Sequence, residues 1–376
     1  MMPDDAQFMD RALALAAQGV ALASPNPRVG ALVVRDGKVV AGEFHRYEAM
    51  DHAEVLALRA AGPAARGATL YVTLEPCCHR GRTGPCVEAI IAAGIRRVVA
   101  AMEDPNPRVH GQGFAALRQA GIEVEVGCRE AEARYLNLGF VKWITTGRPY
   151  VTLKAGMTLD GKIAAPPSRN SEGIRTHEWI TSEEARWHVQ QLRHEHDAVL
   201  IGVGTAAADN PLLTDRTGLP RRRPLLRVML DSQLRLPLDS RLVQTVRDDL
   251  VIFCSLAEEG RAAALRRAGV RIEQIPTRDG RPDIDLVLTR LGEWEITSVI
   301  AEGGSLANWI LLSSHAVDRV FLYYAPKILA GPGAIPLVGG AGFTSVREAI
   351  TIRDVRLHRF GPDFAVEGFL AASPVK

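Results

Sequence analysis

A histidine, a glutamate and two cysteines constrain this chain most, because they are spaced like the ligands and proton carrier of a metal-dependent hydrolase. His52-Ala53-Glu54 is followed by Pro76-Cys77 and then by Cys86. One imidazole and two thiolates leave the fourth position of a tetrahedral zinc ion open to water. A nearby carboxylate can carry a proton between that water and a leaving amine. The pattern therefore predicts zinc on His52, Cys77 and Cys86, with Glu54 as the catalytic residue.

The second half of this pattern departs from the usual spacing of zinc nucleobase deaminases, which is H-x-E followed by P-C-x-x-C. The second cysteine of that motif falls on Arg80 here, and eight residues lie between Cys77 and Cys86. Because neighbouring thiolates rarely bind one ion together, we assign Cys78 to packing. His79 is the alternative ligand.

Local patterns place these residues where a ligand site is expected. The segment His52–Ala61 is predicted to be a helix, so His52 and Glu54 lie in its first turn. The run Ala68–Leu74 is apolar, as is typical of a buried strand, and Cys77 follows where the strand gives way to a helix. Alternating strands and helices then predict a layered α/β unit with a largely parallel sheet, whose ligands bind at the carboxyl ends of the strands.

Other segments give further expectations for secondary structure. Asp36-Gly37 between two apolar runs predicts a β-hairpin. Residues 6–23 are rich in Ala and Leu, and Gly127–Trp143 is amphipathic, so each is predicted to form a single helix. Trp179–His196 is predicted to be a helix with Thr181 as its N-cap.

A change of pattern divides the chain in two. Its 376 residues suit two domains. The break at Thr145–Pro149 predicts domains at residues 1–147 and 148–376. In the second, a predicted strand over Ser298–Ala301 leads into Glu302-Gly303-Gly304-Ser305-Leu306 and a helix. Bare N–H groups at a helix start suit a phosphate, although a glycine pair also serves a simple turn.

Composition excludes several classes of partner. The net charge is +2 and 47% of residues are apolar, which favours neither nucleic acid nor a membrane surface. Of five cysteines, three are bunched at Cys77, Cys78 and Cys86, as in a metal site and not a disulfide framework. The acidic start, Pro3-Asp4-Asp5, is unlike a signal peptide. A cytoplasmic enzyme is expected.

One short motif occurs twice. Pro25-Asn26-Pro27-Arg28-Val29 returns as Pro105-Asn106-Pro107-Arg108-Val109. Proline and asparagine form turns, and for the second copy this reading suffices. In the first copy, the Asn26 amide is placed to bind the edge of a heterocycle, so we predict that it contacts substrate.

Taken together, these motifs resemble the RibD family of bifunctional riboflavin-biosynthesis enzymes over nearly the whole chain. In the first half, the resemblance includes the long gap between the two cysteines, which is the family's own spacing. In the second half, the matching motifs are Lys154-Ala155-Gly156-Met157-Thr158-Leu159-Asp160-Gly161, Trp179-Ile180-Thr181-Ser182, Asp209-Asn210-Pro211, Asp231-Ser232, Glu302-Gly303-Gly304 and Ala325-Pro326-Lys327.

The resemblance implies a fold class and two reactions. A cytidine-deaminase-like three-layer α/β/α domain would precede a dihydrofolate-reductase-like α/β domain. The first would use zinc to deaminate 2,5-diamino-6-(5-phospho-ribosylamino)pyrimidin-4(3H)-one. The second would use NADPH to reduce the ribosyl group, giving 5-amino-6-(5-phospho-D-ribitylamino)uracil. The partners implied are this small-molecule substrate and further copies of the chain, joined through the reductase domains.

Residues of the reductase half are assigned by the same resemblance. The implied NADP contacts are Met157, Trp179, Thr205, Asp209, Ser232, Gly304, Ser305 and Leu306. The implied substrate contacts are His177, Arg193, Leu213, Arg216 and Glu302. Arginine suits a ribose phosphate because its planar guanidinium makes charge-assisted hydrogen bonds. Lys154 or Asp209 is the candidate for proton transfer.

The chain departs from the family pattern at a few positions. Cys78 stands where a serine is common, Gly84 where a proline is common and His177 where a small polar residue is usual. Residues 168–175 form an insertion.

The sequence disfavours three other functions. A deaminase with an inert second half does not explain the second set of motifs, and a tRNA deaminase is expected to be more basic. A structural zinc module usually has four protein ligands. A pure reductase does not explain the intact Glu54 and cysteines.

Overall fold

A computed structural model describes residues 2, 4–79, 84–107, 109–166 and 178–370. The chain divides into two compact units. Among the described residues, the first unit extends to Gly147 and includes Pro220–Arg223, and the second comprises Arg148–Leu219 and the chain from Pro224 to Leu370. Within the described ranges, no helix is long and apolar enough to cross a membrane.

The first unit is an α/β structure. Its helices are α1 (Asp5–Ala17), α2 (Ala53–Ala61), α3 (Cys86–Ala92), α4 (Gln112–Gln119), α5 (Glu130–Leu136) and α6 (Leu138–Thr146), with 3-10 turns at Tyr47–Ala49 and Gly62–Ala65. Its strands are β1 (Gly30–Arg35), β2 (Lys38–Phe44), β3 (Thr69–Val72), β4 (Arg97–Ala100) and β5 (Glu123–Val126).

The sheet of this unit has the order β2-β1-β3-β4-β5. Strand β1 is antiparallel to β2 and β3, whereas β3, β4 and β5 are parallel. The expected parallel sheet is therefore confined to three strands. Asp36 and Gly37 both have positive φ, which fits the predicted hairpin turn between β1 and β2. The carboxyl ends of β3 and β4 meet at one edge, where the metal-binding motif lies.

Helix α1 packs closely on β1. A Cβ atom on Gly30 would lie 2.0 Å from the Ala12 carbonyl oxygen, so the helix approaches the strand only because this residue is glycine. The predicted helix over residues 6–23 was too long, because α1 ends at Ala17. Ala21 has a φ of 57°, a left-handed conformation that an α-helix does not contain.

The predicted single helix Gly127–Trp143 is two helices, α5 and α6, separated at Asn137. The Asn137 carboxamide accepts a hydrogen bond from the Arg28 N–H (2.8 Å) and donates to the Arg28 carbonyl (3.0 Å). Asparagine side chains compete with the helical backbone for hydrogen bonds. The break therefore arises from a contact 109 residues away in sequence.

The second unit is also α/β. Its helices are α7 (Glu183–Glu195), α8 (Val203–Asp209), α9 (Arg241–Gln244), α10 (Glu259–Arg267), α11 (Ile284–Glu293) and α12 (Ser305–Ser313). Its strands are β6 (Tyr150–Thr158), β7 (Lys162–Ala164), β8 (Ala198–Gly202), β9 (Leu226–Leu230), β10 (Leu250–Cys254), β11 (Arg271–Gln274), β12 (Thr277–Arg278), β13 (Arg281–Pro282), β14 (Ser298–Ala301), β15 (Arg319–Ala325), β16 (Ile335–Pro336), β17 (Ile352–Phe360) and β18 (Asp363–Leu370).

The main sheet of this unit has the order β11-β10-β9-β8-β14-β6-β15-β18-β17. Its strands are parallel from β11 to β15, and β18 and β17 are added in antiparallel pairing. Strands β14, β6 and β15 lie at its centre and are almost entirely buried. The predicted strand over Ser298–Ala301 therefore carries Glu302 and the glycine pair at its carboxyl end, as expected for a ligand site in a parallel sheet.

Helix α7 begins later than predicted. Its N-cap is Ser182, not Thr181, because the Ser182 hydroxyl accepts a hydrogen bond from the Ala185 N–H at 3.2 Å. The Asp363 carboxylate accepts from the Ser182 N–H at 2.6 Å and fixes this residue in place. Serine rather than its neighbour caps the helix because a contact with β18 sets the start.

Candidate functional sites

The first unit brings the predicted metal ligands together. The Nδ1 atom of His52 lies 3.2 Å from Cys86 Sγ and 3.5 Å from Cys77 Sγ. All three donor atoms lie within 4.8 Å of one another. Zinc–nitrogen bonds near 2.0 Å and zinc–sulfur bonds near 2.3 Å place tetrahedral ligands roughly 3.5–3.8 Å apart. The arrangement therefore has the size and the donor chemistry of a zinc site.

Local structure explains how the three residues meet. His52 is the N-cap residue of α2, Cys77 follows the end of β3, and Cys86 is the first residue of α3. The Cys86 N–H donates to Cys77 Sγ at 3.3 Å, and the Val87 N–H donates to the Cys77 carbonyl at 3.2 Å. The start of α3 thus stabilises negative charge on Cys77.

The electrostatics of the cluster also suit a cation. A hydrogen bond from Cys86 lowers the pKa of Cys77 to about 4, although burial opposes this. The hydrogen bond with Cys77 raises the pKa of His52 to about 9. The Cys77 contact and burial raise the pKa of Cys86. The three side chains therefore share protons through their mutual hydrogen bonds. A divalent metal ion would displace these protons when it binds.

Glu54 lies beside this cluster in the first turn of α2 and is only 3% exposed. Burial raises the pKa of its carboxyl group. Of the apolar residues expected on the buried face of α2, Leu58 is buried, whereas Val55 and Leu56 are only partly buried. Ala53 and Ala57 are buried beside Leu58. The helix is turned so that Glu54 points inward.

A second histidine, which the sequence analysis missed, lies behind the site. His45 is buried directly after β2, and its ring lies edge-on to His52 with 5.3 Å between centroids. Its Nδ1 atom is 3.2 Å from the Asp51 carbonyl oxygen, and its Nε2 atom is 3.0 Å from the Asn26 amide nitrogen. A histidine with Nδ1 protonated satisfies both bonds and orients the Asn26 carboxamide. No local motif marks His45.

Cys78 and His79 are not part of the cluster. Cys78 packs at the edge of the core of the first unit, and its Sγ lies 3.9 Å from Gln112 Oε1. Among the described residues, the group with metal-binding geometry contains only His52, Cys77 and Cys86.

In the second unit, three charged residues form a buried cluster: Glu302 directly after β14, Lys154 in the middle of β6 and Arg193 on α7. Arg193 Nε and Nη2 donate to the two oxygens of Glu302 at 2.6 and 3.0 Å. Lys154 Nζ lies 3.6 Å from Glu302. Burial alone would raise the pKa of Glu302, but the charges of Arg193 and Lys154 hold it at about 2. Burial lowers the pKa of Lys154.

The remaining predicted substrate residues of this unit are spread more widely. Leu213 is buried with a φ of 55°, and the neighbouring Thr214 carbonyl accepts a hydrogen bond from Arg193 at 3.1 Å. Arg216 is exposed, and its N–H donates to Gln190 Oε1. His177, the insertion at 168–175 and Arg80 lie outside the described residues.

Several predicted cofactor contacts meet at the start of α12. A Cβ atom on Gly304 would lie 3.0 Å from Thr205 Oγ1, so α8 and the glycine pair are close. Ser305 Oγ is buried, and within the described residues it has no hydrogen-bond partner. An orphaned hydroxyl at a helix start suits a phosphate group. Leu306 next to it is exposed.

The other predicted cofactor contacts lie on different elements. Met157 is buried near the end of β6 and Ser232 follows β9. Asp209 is the exposed last residue of α8. Trp179 precedes α7 and is 59% exposed, with the Arg186 guanidinium 5.0 Å from its ring.

Two known protein families match different parts of the chain. Residues 2–102 match a family model described as the cytidine and deoxycytidylate deaminase zinc-binding region. Residues 149–366 match one described as the RibD C-terminal domain. These matches confirm the predicted cytidine-deaminase-like first domain and an α/β reductase domain of the RibD type in the second half.

Curated relatives match over the full length. The riboflavin biosynthesis protein RibD of Actinobacillus pleuropneumoniae is 40% identical over 372 residues, covering 99% of this chain and 96% of the relative. The RibD protein of Escherichia coli is 40% identical over 370 residues, covering 96% and 97%.

Solved structures of RibD proteins are also similar to this chain over nearly its whole length. Acinetobacter baumannii RibD is 34% identical, with a TM-score of 0.85 and 98% and 99% coverage of the two chains. A Thermotoga maritima diaminohydroxyphosphoribosylaminopyrimidine deaminase/5-amino-6-(5-phosphoribosylamino)uracil reductase is 36% identical, with a TM-score of 0.81 and 97% and 98% coverage. This chain therefore belongs to the RibD family and is a bifunctional deaminase and reductase of riboflavin biosynthesis.

Proposed function

We propose that this chain catalyses two successive steps on one phosphoribosylated pyrimidine. Residues 1–147 remove the 2-amino group of 2,5-diamino-6-(5-phospho-ribosylamino)pyrimidin-4(3H)-one by hydrolysis. Residues 148–376 then reduce the ribosyl group to ribityl. The observation that carries this proposal is that each unit contains its own cluster of chemically reactive residues. One member of each cluster, Cys77 or Glu302, follows the carboxyl end of a parallel strand.

In the deaminase site, His52, Cys77 and Cys86 hold zinc, which is supported by their N/S₂ donor set and spacing. Zinc, when bound, lowers the pKa of a water ligand and so supplies the nucleophile at neutral pH. Glu54 carries the proton released from water to the departing amine, which leaves as ammonia. Its burial beside the cluster supports this role. Asn26, oriented by His45, binds the edge of the pyrimidine.

In the reductase site, NADPH supplies the hydride when bound. Reduction at C1′ of the ribosyl group would break the bond between C1′ and the ring oxygen, and that oxygen would take up a proton. Of the two candidates for this proton, the geometry favours Lys154 over Asp209. Lys154 is largely buried beside Glu302, whereas Asp209 is at the exposed end of α8.

The Arg193–Glu302 pair orients Lys154 and forms the floor of the substrate site. Arg193 donates three hydrogen bonds within the protein, two to Glu302 and one to Thr214. The exposed Arg216 is therefore the better candidate to bind the substrate phosphate, with Leu213 and His177 as further contacts. Met157, Trp179, Thr205, Asp209, Ser232 and the Gly304-Ser305-Leu306 turn bind the cofactor. The unpartnered hydroxyl of Ser305 supports a phosphate there.

A paired assay tests the proposal. Ammonia release and NADPH consumption are followed together with the diaminopyrimidine phosphoriboside, in wild-type protein and in Glu54→Gln. We expect both signals from wild type and neither from the variant. Adding the deaminated intermediate should restore NADPH consumption in Glu54→Gln, because the reductase site is intact.

Glu132→Gln is the matched control, because Glu132 is an exposed glutamate of α5. It should behave like wild type. Normal NADPH consumption by Glu54→Gln without added intermediate would contradict the order of the steps. Ammonia release without NADPH consumption in wild type would contradict the reductase assignment.

We also propose that the chain works as a homo-oligomer joined through the reductase half, in the cytoplasm. The sheet of the second unit ends at β17, where Val355 and Leu357 are exposed and Leu357 is 74% accessible. An uncovered edge strand with apolar side chains is a ready surface for pairing with another chain. Thiol ligands that must stay reduced fit a cytoplasmic protein.

Light scattering tests the oligomer. Leu357→Glu should lower the molar mass in solution, because it places a charge on the proposed interface. Leu256→Glu changes an exposed leucine beyond the end of β10 and serves as control. A wild-type protein that is monomeric at micromolar concentration would contradict the proposal.

A further inference from the structure

Glu75 is a buried carboxylate next to the metal-ligand segment, and the proposed chemistry does not use it. It is 3% exposed and lies two residues before Cys77. Its N–H donates to the Met102 carbonyl at 3.0 Å, which places it beside the end of β4. A buried carboxylate needs several hydrogen-bond donors. The segments that supply the donors to Glu75 are therefore the segments that it connects.

The backbone donors to Glu75 come from the connection between β4 and α4 and from the first turn of α4. Glu75 Oε2 accepts from the N–H groups of Asp104 (3.1 Å) and Gly111 (2.9 Å). Glu75 Oε1 accepts from those of Gly113 (2.9 Å) and Phe114 (3.3 Å). We call residues 101–107 and 109–111, between these two elements, the β4–α4 loop. One carboxylate thus holds both ends of this loop.

The first turn of α4 also packs closely against Pro76, which precedes the metal ligand Cys77. A Cβ atom on Gly113 would lie 2.0 Å from the Pro76 carbonyl oxygen, so only glycine allows this approach. The negative charge of Glu75 at the N-terminus of α4 is favourable, because the helix dipole and the unpaired N–H groups there attract anions. The segment Pro76-Cys77 therefore packs directly against the first turn of α4.

The β4–α4 loop lies within electrostatic reach of the metal cluster. The pKa of Asp104 in this loop is raised to about 6, first because Asp104 is buried and then because the charges of Glu75, Cys77 and Glu54 lie near it. A shift of the loop would therefore change the environment of the metal ligands as well as the shape of the site.

We propose that Glu75 is a positioning residue that fixes Cys77 and the β4–α4 loop relative to each other. Its four hydrogen bonds fix the position of the Glu75-Pro76-Cys77 segment before metal or substrate binds. A ligand held in advance loses less entropy on binding the metal, and the groups that support metal ligands typically contribute about 10–100-fold to metal affinity. This role rests on the proposed zinc-dependent deamination.

Glu75→Gln tests the role. The carboxamide keeps the shape of the side chain, but it offers one acceptor oxygen and turns N–H donors toward backbone N–H groups. We expect zinc affinity, measured by competition with a chromogenic chelator, to fall about tenfold or more. Deaminase kcat/KM should fall with it, and the amides of residues 101–114 should exchange hydrogen faster. Glu75→Asp, which keeps both oxygens, should lie between Glu75→Gln and wild type.

Two internal controls separate positioning from general unfolding. Reduction of the deaminated intermediate is measured in the same protein and should be unchanged. Glu103→Gln removes an exposed carboxylate from the same loop and should leave zinc affinity unchanged.

Wild-type zinc affinity and deaminase kcat/KM in Glu75→Gln would overturn the proposal. Parallel loss of both activities would also overturn it, because it would indicate loss of folding. The zinc measurement needs no substrate. If wild type releases no ammonia, the proposed function fails, while the zinc measurement still decides the role of Glu75.

Discussion

At the scale of single residues, the adjacent thiols of Cys77 and Cys78 have different roles. Cys77 Sγ faces His52 and accepts a hydrogen bond from the Cys86 N–H, whereas Cys78 Sγ faces Gln112. The difference follows from geometry, because successive side chains in an extended segment point in opposite directions.

A pair of substitutions tests this separation. Cys86→Ser should lower zinc content well below one ion per chain and abolish ammonia release, because the alcohol is a poor zinc ligand. Cys78→Ser should retain one zinc ion and near wild-type deamination. Metal analysis of the purified proteins gives the answer, and loss of zinc from Cys78→Ser would make Cys78 a ligand.

Lys154 offers a second test at this scale. Lys154→Met keeps the length of the side chain but removes the proton, so we expect reductase kcat to fall by about 10²–10⁴-fold. The KM for NADPH should change little, since Lys154 is paired with Glu302 and not with the cofactor turn. Asp209→Asn is the comparison. A larger loss of kcat in Asp209→Asn than in Lys154→Met would reverse the assignment.

At the scale of elements, a buried ion pair joins α1 to the sheet of the first unit. Arg97 of β4 donates to both oxygens of Asp5 at 2.9 and 2.8 Å, and the Tyr71 hydroxyl of β3 donates to Asp5 at 2.8 Å. Both charged side chains are almost fully buried. Loss of Asp5 would leave Arg97 with the more exposed Glu125 (2.6 Å) and Glu123 (3.5 Å) as counter-charges. Removing one partner of a buried pair costs up to about 3–5 kcal/mol.

Asp5→Asn should therefore destabilise the first unit strongly, whereas Asp10→Asn, which breaks an exposed pair with Arg129, should cost about 1 kcal/mol or less. Hydrogen exchange of peptides from α1, β3 and β4 localises the effect. Equal exchange in Asp5→Asn and Asp10→Asn would contradict it.

The same pair predicts a dependence on pH. Burial alone would raise the pKa of Asp5, but its bonds to Arg97 and Tyr71 lower it from 3.8 to about 2. A depressed pKa stabilises the folded state above the unfolded pKa, and this stabilisation is lost as pH falls through the folded value. The difference in melting temperature between wild type and Asp5→Asn should hold from pH 7 to 5 and narrow toward pH 2. A constant difference would argue against an ion pair.

At the scale of the whole molecule, the two chemistries need different partners and are expected to be separable. Removing zinc with a chelator should abolish ammonia release while NADPH consumption with the deaminated intermediate continues, because Lys154, Arg193 and Glu302 use no metal in this scheme. Adding back zinc should restore ammonia release. Loss of both activities on chelation, with both restored by zinc, would show that the reductase also depends on the metal.

Much of this molecule could be predicted from local sequence. The metal ligands and Glu54 are recognisable because their chemistry and spacing are rare by chance, and the hairpin at Asp36-Gly37 is recognisable because few residues adopt positive φ. Strands β3 and β14 were predicted for a related reason. A short, continuous run of apolar residues is typical of a strand that is buried on both faces of a sheet.

Only the tertiary structure decided the features that depend on distant contacts. The break between α5 and α6 is fixed by Arg28, the start of α7 by Asp363, and the place of His45 by Asn26 and His52. Glu75 acquires its four donors from residues that lie 29 to 39 positions away. The sequence by itself determined which groups can bind metal and move protons. The folded chain decided which buried polar groups satisfy one another, because a hydrogen bond between distant segments leaves no periodic trace in either of them.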